Sequence, residues 1–162
     1  MYTRKPCCDI ETARCRCKIR YVSKFTAASC GSHFSLLPAI ARLWFQIQRH
    51  TGLWYSVEYS SFSLGPEADK YRLSVSGFSG DDGDALTAPV LSYFIANGMR
   101  FSCLGEDNDN HPTALCMGGN SGWWFRFCTR SSINRDTNGL WNADTIHAIF
   151  NVVSSRMLVK LD

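Results

Sequence analysis

Eight cysteines in a chain of 162 residues are the tightest limit on what this sequence can fold into. At that density, in a chain of one-domain length, cysteine points to an oxidising compartment and to disulfides that supplement a modest core. The eight are clustered: Cys7, Cys8, Cys15, Cys17 and Cys30, then Cys103, Cys116 and Cys128. Zinc is the competing use of the first cluster. Adjacent Cys7 and Cys8, and the single residue between Cys15 and Cys17, do not match the two-to-four residue spacers of structural zinc sites. No histidine pair follows at helical spacing.

Charge divides the chain. The first 50 residues carry nine Lys/Arg and two Asp/Glu, a net +7, and the rest carry eight and twelve, a net −4. A basic arm is one signature of nucleic-acid or membrane binding. Here the basic residues interleave with cysteines rather than with stacking aromatics, and no nucleic-acid motif is present, so no nucleic-acid partner is expected. No membrane span is expected either. The longest apolar run, Phe34 to Ile47, is interrupted by Pro38, Arg42 and Gln46 and falls short of the roughly 18 residues needed. The first 20 residues carry no apolar signal region, which sits at odds with an oxidised fold and suggests a fragment, a start other than the natural one or an unconventional leader.

Residues 1–32 follow neither a helical nor a strand period and read as a loosely ordered arm. The stretch from 34 to 48 allows a short helix after Pro38, a residue suited to a first turn. Its end already alternates, with Leu43, Phe45 and Ile47 against Trp44, Gln46 and Gln48, as a strand does. From Leu53 to Leu64 aromatic and β-branched residues dominate, and simple alternation puts Val57, Tyr59, Ser61 and Ser63 on one face. Gly65-Pro66 marks a turn, and Tyr71, Leu73 and Val75 then alternate with Arg72, Ser74 and Ser76. Two such runs around a turn predict an antiparallel hairpin. A last strand is expected over Arg156 to Leu161.

Between Gly80 and about Ser121 the chain is rich in Gly, Asp and Asn and poor in regular periods. So long a loop inside a compact domain needs a function or a pin. Glu106-Asp107-Asn108-Asp109-Asn110 concentrates oxygen donors of the kind Ca²⁺ takes, although the EF-hand spacing is absent; a solvated acidic turn is the plainer reading. A second acidic run, Asp81-Asp82-Gly83-Asp84, reads as a turn. Cys116 and Cys128 enclose eleven residues, and a disulfide closing so short a loop would stabilise it by about 3 kcal/mol. Trp123 and Trp124 beside it read first as core, and alternatively as one wall of a small ligand pocket.

These pieces occur in an order that resembles the fibrinogen C-terminal family (fibrinogen-related, ficolin- and tachylectin-like domains). The segments that carry the resemblance are Tyr59 to Leu73, Ser76-Gly77-Phe78-Ser79-Gly80-Asp81-Asp82-Gly83-Asp84-Ala85-Leu86, Asn97 to Ser102, the acidic loop, Cys116, Ser121-Gly122-Trp123-Trp124-Phe125 with Cys128, and Met157 to Lys160. It covers about residues 45–162, which the resemblance marks as a partial domain, and leaves 1–44 as an atypical, Cys-rich basic arm. It implies an α+β fold: a twisted antiparallel sheet plus a loop-rich subdomain for calcium and ligand, with the N-terminal subdomain incomplete. It implies Ca²⁺ held by the side chains of Asp107 and Asp109 and by the backbone oxygens of His111 and Thr113, and a Cys116–Cys128 disulfide. Gly105 replaces the first aspartate of the family's run, and Pro112 is unusual in the loop. The ligand pocket carried over is Phe127, Thr129, Trp141 and His147, with Thr129 where sugar- and peptide-binding members usually have histidine. Cys103 replaces a small polar residue and reads as a free thiol or a partner for the arm.

The function expected from the resemblance is extracellular, calcium-stabilised recognition: lectin-like binding of acetylated or other glycan surfaces in innate defence. The alternatives are a protein-interaction domain of matrix or receptor-ligand type, and a truncated product without activity of its own. Oligomers are left open to a full-length form. No enzyme is expected, because no catalytic order of Ser, His and Asp, no nucleotide loop and no zinc-hydrolase helix appears, and His33, His50, His111 and His147 each read as ordinary histidines.

Overall fold

The computed structural model describes residues 17–22 (backbone only), 41–89, 91–103, 106–112, 116, 122–133, 139–142 and 151–161. Its frame is a sheet of six strands: β1 (Cys17–Val22), β2 (Ala41–Arg49), β3 (Trp54–Leu64), β4 (Leu73–Gly80), β5 (Gly139–Leu140) and β6 (Asn151–Leu161). The order is β1-β6-β2-β3-β4, and β5 adds to the start of β6. All pairings are antiparallel except that of β1 with β6. Among the described residues the only helical segments are two single turns of 3-10 helix, Glu67–Asp69 and Ser92–Phe94. The twisted antiparallel sheet expected from the sequence is present. The α part of the α+β expectation has no counterpart among these residues.

Several boundaries differ from the sequence reading: β6 starts at Asn151 rather than Arg156, β4 runs Leu73–Gly80, and two further differences bear on the arm and on β2. The strand predicted toward the end of the 34–48 stretch already starts at Ala41, so no helix occupies 41–48, and the earlier residues of that stretch lie outside the described set. Within the segment read as a loosely ordered arm, 17–22 form β1 beside β6; the remainder of 1–32 lies outside the described residues.

The core grows from the strict alternation of β2. Ala41, Leu43, Phe45 and Ile47 are fully buried, while Arg42 and Trp44 face out. β2 lies between β3 and β6 and so has partners on both edges. Against its inner face pack Val57 and Tyr59 of β3, Met157 and Val159 of β6, and Trp141, whose ring lies 4.8 Å from that of Phe45. β6 keeps both Val152 and Ser155 inward by means of a bulge. Gln48 pairs with Ser154 and Arg49 with Val152, leaving the exposed Val153 as the extra residue.

In β3 simple alternation fails. Val57 and Tyr59 are buried as expected, but Ser61 is exposed and Phe62 takes the next buried position. The β3–β4 register runs unchanged through this point, with Tyr59 opposite Phe78 and Phe62 opposite Val75. The change of phase coincides with Gly77, at φ +71°, where a Cβ would fall 2.0 Å from Ser60 Oγ. Only glycine fits there without displacing the facing strand.

The 81–84 run is a turn, as read, and it anchors the sheet to the loops. The guanidinium of Arg49, on the buried face of β2, donates to both carboxylate oxygens of Asp82 at 2.8 and 2.6 Å and to the Trp141 carbonyl at 2.8 Å. Trp141 Nε1 donates to the Gly83 carbonyl at 3.0 Å and closes the ring. Asp81 accepts from the Ser56 amide. Asp84 accepts from Tyr59 Oη at 2.7 Å and from the Thr87 amide at 2.9 Å. Burial, then the hydrogen bond to Asp84 and its charge, push the Tyr59 hydroxyl pKa far up, so this phenol is a permanent donor.

The hairpin turn after Gly65-Pro66 is held by Asp69, which accepts from Arg72 Nε at 2.7 Å and Arg100 Nε at 3.1 Å. Arg72, and behind it Arg100, lowers the Asp69 carboxyl from 3.8 to about 2. A depressed carboxylate contributes stability above its unfolded pKa and loses it as pH falls through the folded value. The urea midpoint of the wild type should therefore drop between pH 4 and about 2, and Asp69→Asn should flatten that window. The buried pair makes a larger demand. Asp82→Asn leaves the Arg49 charge without its counter-ion and should cost about 3 kcal/mol in urea unfolding, the scale for breaking a buried pair.

Candidate functional site

The loops after β4 stack into a second layer beside the sheet. Ser102 and Trp123 form a two-way backbone bridge, and both are fully buried. Trp123 Nε1 donates to Ser131 Oγ at 3.2 Å, and Trp124 Nε1 to the Tyr71 carbonyl at 2.8 Å. The two indoles meet edge to face at 5.3 Å, and Phe101 meets Trp124 at 5.1 Å. The core reading of both tryptophans holds.

The acidic loop is wound by its own carboxylates. Asp107 Oδ1 accepts from the Asp109 amide at 3.1 Å, and Asp109 Oδ1 accepts from the His111 amide at 2.7 Å, two successive Asx turns. Asp109 Oδ2 takes the Cys116 amide at 3.3 Å. Asn108 pins the loop inward, its amide donating to Ser102 Oγ and its side chain to the Phe101 carbonyl. Glu106, the remaining acid, is paired with Lys70. Asp107 and Asp109 have no Lys or Arg partner among the described residues. Two carboxylates one residue apart, without a cation between them, suit a divalent ion of the calcium type, whose remaining ligands would be carbonyls. Among the described residues no group of three His, Cys, Asp or Glu side chains is placed to hold a metal, so a site here depends on those carbonyls. Of the four expected ligands, Thr113 lies outside the described residues.

Cys116 and Cys128 are disulfide-bonded, with Cα atoms 4.6 Å apart, as the family resemblance implied. Cys103 is disulfide-bonded as well, so it is not the free thiol that was one of its two readings.

The bent strip 125–129, with Cys128 at φ +81°, joins the acidic loop to the 3-10 turn Ser92–Phe94. The Asn110 amide donates to the Arg126 carbonyl at 2.6 Å, and the Phe127 amide to the Tyr93 carbonyl at 3.2 Å. Arg126 Nη1 reaches the Ser92 carbonyl at 3.0 Å. Tyr93 and Phe127 remain 44% and 40% exposed. The His111 ring stands edge-on to Phe127 at 5.9 Å, Phe94 packs on Tyr93 at 4.3 Å, and Arg130 lies 5.0 Å over Phe94. An exposed aromatic surface thus adjoins the two unpaired carboxylates.

The predicted pocket is only partly assembled. Phe127 is on this surface. Thr129 is buried, with its hydroxyl 3.0 Å from that of Ser131, and Trp141 is wholly buried beneath the sheet. Their side chains are committed to the interior. His147 lies outside the described residues. Tyr93 was not singled out from the sequence. Its one signal is the Tyr93-Phe94 pair inside the largely apolar run 88–96 of an otherwise polar loop.

Residues 37–151 match the family model for the C-terminal globular domain of fibrinogen beta and gamma chains. The chain is 34% identical over 131 residues to the protein scabrous of Drosophila melanogaster, covering 79% of this chain and 15% of that one. It is also 34% identical over 108 residues to the human fibrinogen gamma chain, covering 62% and 23%. In three dimensions it resembles a lamprey fibrin D-dimer complexed with the peptide Gly-His-Arg-Pro-amide, with a TM-score of 0.66, 24% identity and coverage of 75% and 45%. The chain belongs to the fibrinogen C-terminal domain family. It spans less than half the length of these relatives.

One prediction concerns the disulfide. Replacing both Cys116 and Cys128 by Ser should lower stability by about 3 kcal/mol, since the loop they close is short. Urea unfolding of the double variant, read beside the wild type under non-reducing conditions, checks it.

Proposed function

We propose that this domain is an extracellular, non-enzymatic recognition module that binds a peptide or protein segment beside a calcium-stabilised loop. The observation that carries the reading is the exposed pair Tyr93 and Phe127, fastened to one another by a backbone hydrogen bond and set against the acidic loop through His111. Exposed aromatics on a rigid scaffold are the usual anchors of protein recognition. A strip fixed by a disulfide and by backbone bonds to both neighbours loses little freedom on binding. The disulfides support the extracellular assignment. The lamprey D-dimer was captured with a peptide, which points the same way. An acetylated-glycan pocket at Phe127, Thr129, Trp141 and His147 is less well supported, because two of the four side chains are interior.

In this reading Ca²⁺ is taken by the carboxylates of Asp107 and Asp109 and by the carbonyls of His111 and Thr113. When bound it removes the repulsion between the two carboxylates. The chain's own residues do the rest: Asn108 holds the loop to the core, and Asn110 holds it to the 125–129 strip.

Two outcomes test this. Calcium at a hundredfold excess over its Kd should add about 2.7 kcal/mol of stability. Asp107→Ala or Asp109→Ala should remove most of the accompanying rise in melting temperature, while Asp82→Ala lowers the starting value but keeps the rise. An unchanged melting temperature between millimolar calcium and chelator would leave the loop a solvated turn. For the ligand, Phe127→Ala and Tyr93→Ala should each weaken capture of an extracellular protein partner by tenfold or more, about 1.4 kcal/mol. Equal capture by wild type and both variants in a surface-binding assay would remove this surface from the function.

A further inference from the structure

The outer face of the sheet, turned away from the core, carries an arrangement that the proposed recognition surface does not use. Register lays out its rows across β6, β2 and β3. Lys160 pairs with Arg42. Leu158 pairs with Trp44, and Trp44 on its other side with Glu58. Arg156 pairs with Gln46 and, beyond it, Ser56. Ser154 pairs with Gln48 and, beyond it, Trp54. Basic rows thus alternate with rows that hold an indole, over about 20 Å at about 3.4 Å per residue. Register also sets two basic residues of β1, Lys18 and Arg20, opposite Arg156 and Leu158. The outward positions of β1, β6 and β2 therefore hold five Lys/Arg and no Asp or Glu. Glu58 of β3 stands 3.5 Å from Arg42, and Asp81 lies beside Ser56 at the far corner. With both acids counted, this face keeps a net +3.

The rows are open to solvent. Trp44 and Trp54 are 39% and 44% exposed, while Trp123, Trp124 and Trp141 are buried. Arg42, Arg156 and Lys160 are exposed and Leu158 is half-buried. Each indole is oriented by the neighbouring basic or polar row. Trp44 Nε1 donates to Ser56 Oγ. The Arg156 guanidinium lies 5.1 Å from the Trp54 ring, and its Nη1 donates to Gln46 Oε1 at 3.1 Å.

We infer that this face rests on an anionic lipid surface. Tryptophan settles at the boundary between headgroups and acyl chains, where its ring is partly in oil. Lys and Arg beside it lay their aliphatic stems on apolar surface and carry their charges to the lipid phosphates and carboxylates. The alternation of rows supplies both contacts side by side, and the net positive charge selects an anionic surface over a neutral one. A second copy of the chain would bring like charge against like charge. A single-stranded nucleic acid would also be drawn to the charge, but its bases stack on open rings, and Arg156 already occupies a face of Trp54. The contact is peripheral: the domain lies on the bilayer and does not cross it.

The intact chain is mixed with vesicles of two parts phosphatidylcholine to one part phosphatidylserine, and with vesicles of phosphatidylcholine alone. Co-sedimentation should show binding to the first and not the second, weakening as salt is raised. Lipids brominated on the acyl chain should quench the emission of the bound protein, because the two outer-face indoles are the ones in reach. Trp44→Ala and Trp54→Ala should each reduce that quenching. Arg156→Gln and Lys160→Gln, milder changes at exposed positions, should each weaken vesicle binding about fivefold, the scale of one basic residue at such a surface. Phe127→Ala should bind vesicles as the wild type does; a loss there instead would move the contact to the peptide surface and overturn the proposal. It is also overturned by equal binding to neutral and anionic vesicles, by absence of binding, by absence of quenching from brominated lipid, or by unchanged binding in both charge variants. Tighter binding of an oligothymidylate than of the anionic vesicles would assign the face to nucleic acid in place of lipid.

Discussion

The buried ion pair between Arg49 and Asp82 joins the two layers of this domain. Arg49 ends the central strand on its inner face, where the alternation of β2 would otherwise place another aliphatic side chain. A guanidinium there is tolerable only if its donors are satisfied. The Asp82 carboxylate takes two, the Trp141 carbonyl a third, and the Trp141 indole returns to Gly83. Apolar residues of similar volume could be as stable, so the pair is better understood as a device for position than as a source of free energy. It fixes the chain as it leaves β4 and so sets where the long loop begins.

From that start the loop layer is assembled mostly by polar contacts. Asp84 ties the loop to Tyr59, Asn97 takes the Val75 amide, Asn108 reaches Ser102 and Phe101, and Asn110 reaches Arg126. Short side chains that hydrogen-bond nearby backbone replace the missing strand ladders. The apolar part of this layer is concentrated in Trp123, Trp124 and Phe125, which seal it against the sheet side. Tyr93 of the 92–94 turn and Phe127 are left at the surface of this layer.

What the sequence showed depended on whether one residue's environment was local. The alternation of Leu43, Phe45 and Ile47 displayed β2 because a central strand buries one full face. The strand's reach back to Ala41 was hidden by Pro38 and by the apolar run before it, which also suits a helix. In β3 the serines on both faces concealed the phase change, which is associated with Gly77 on the partner strand and not with any residue of β3 itself. The acidic loop and the Cys116–Cys128 pair were legible through the order of motifs. Trp141 and Thr129, which the family resemblance carried into the pocket, are buried in this structure, and the Trp141 carbonyl is held by Arg49, 92 positions earlier in the chain.

Gly77 has one more consequence. Among the described residues β4 is the last strand on its side of the sheet, and the outward backbone groups of such a strand are a template on which a foreign strand can add. The first half is already occupied: the Leu73 amide and carbonyl bond to Met99 and Gly98, and the Val75 amide bonds to Asn97. Beyond it, the left-handed backbone at Gly77 bends the rim out of the straight ladder that an incoming chain would need. The glycine that lets β3 and β4 change phase also caps the sheet. The sheet is thereby kept from growing at that edge.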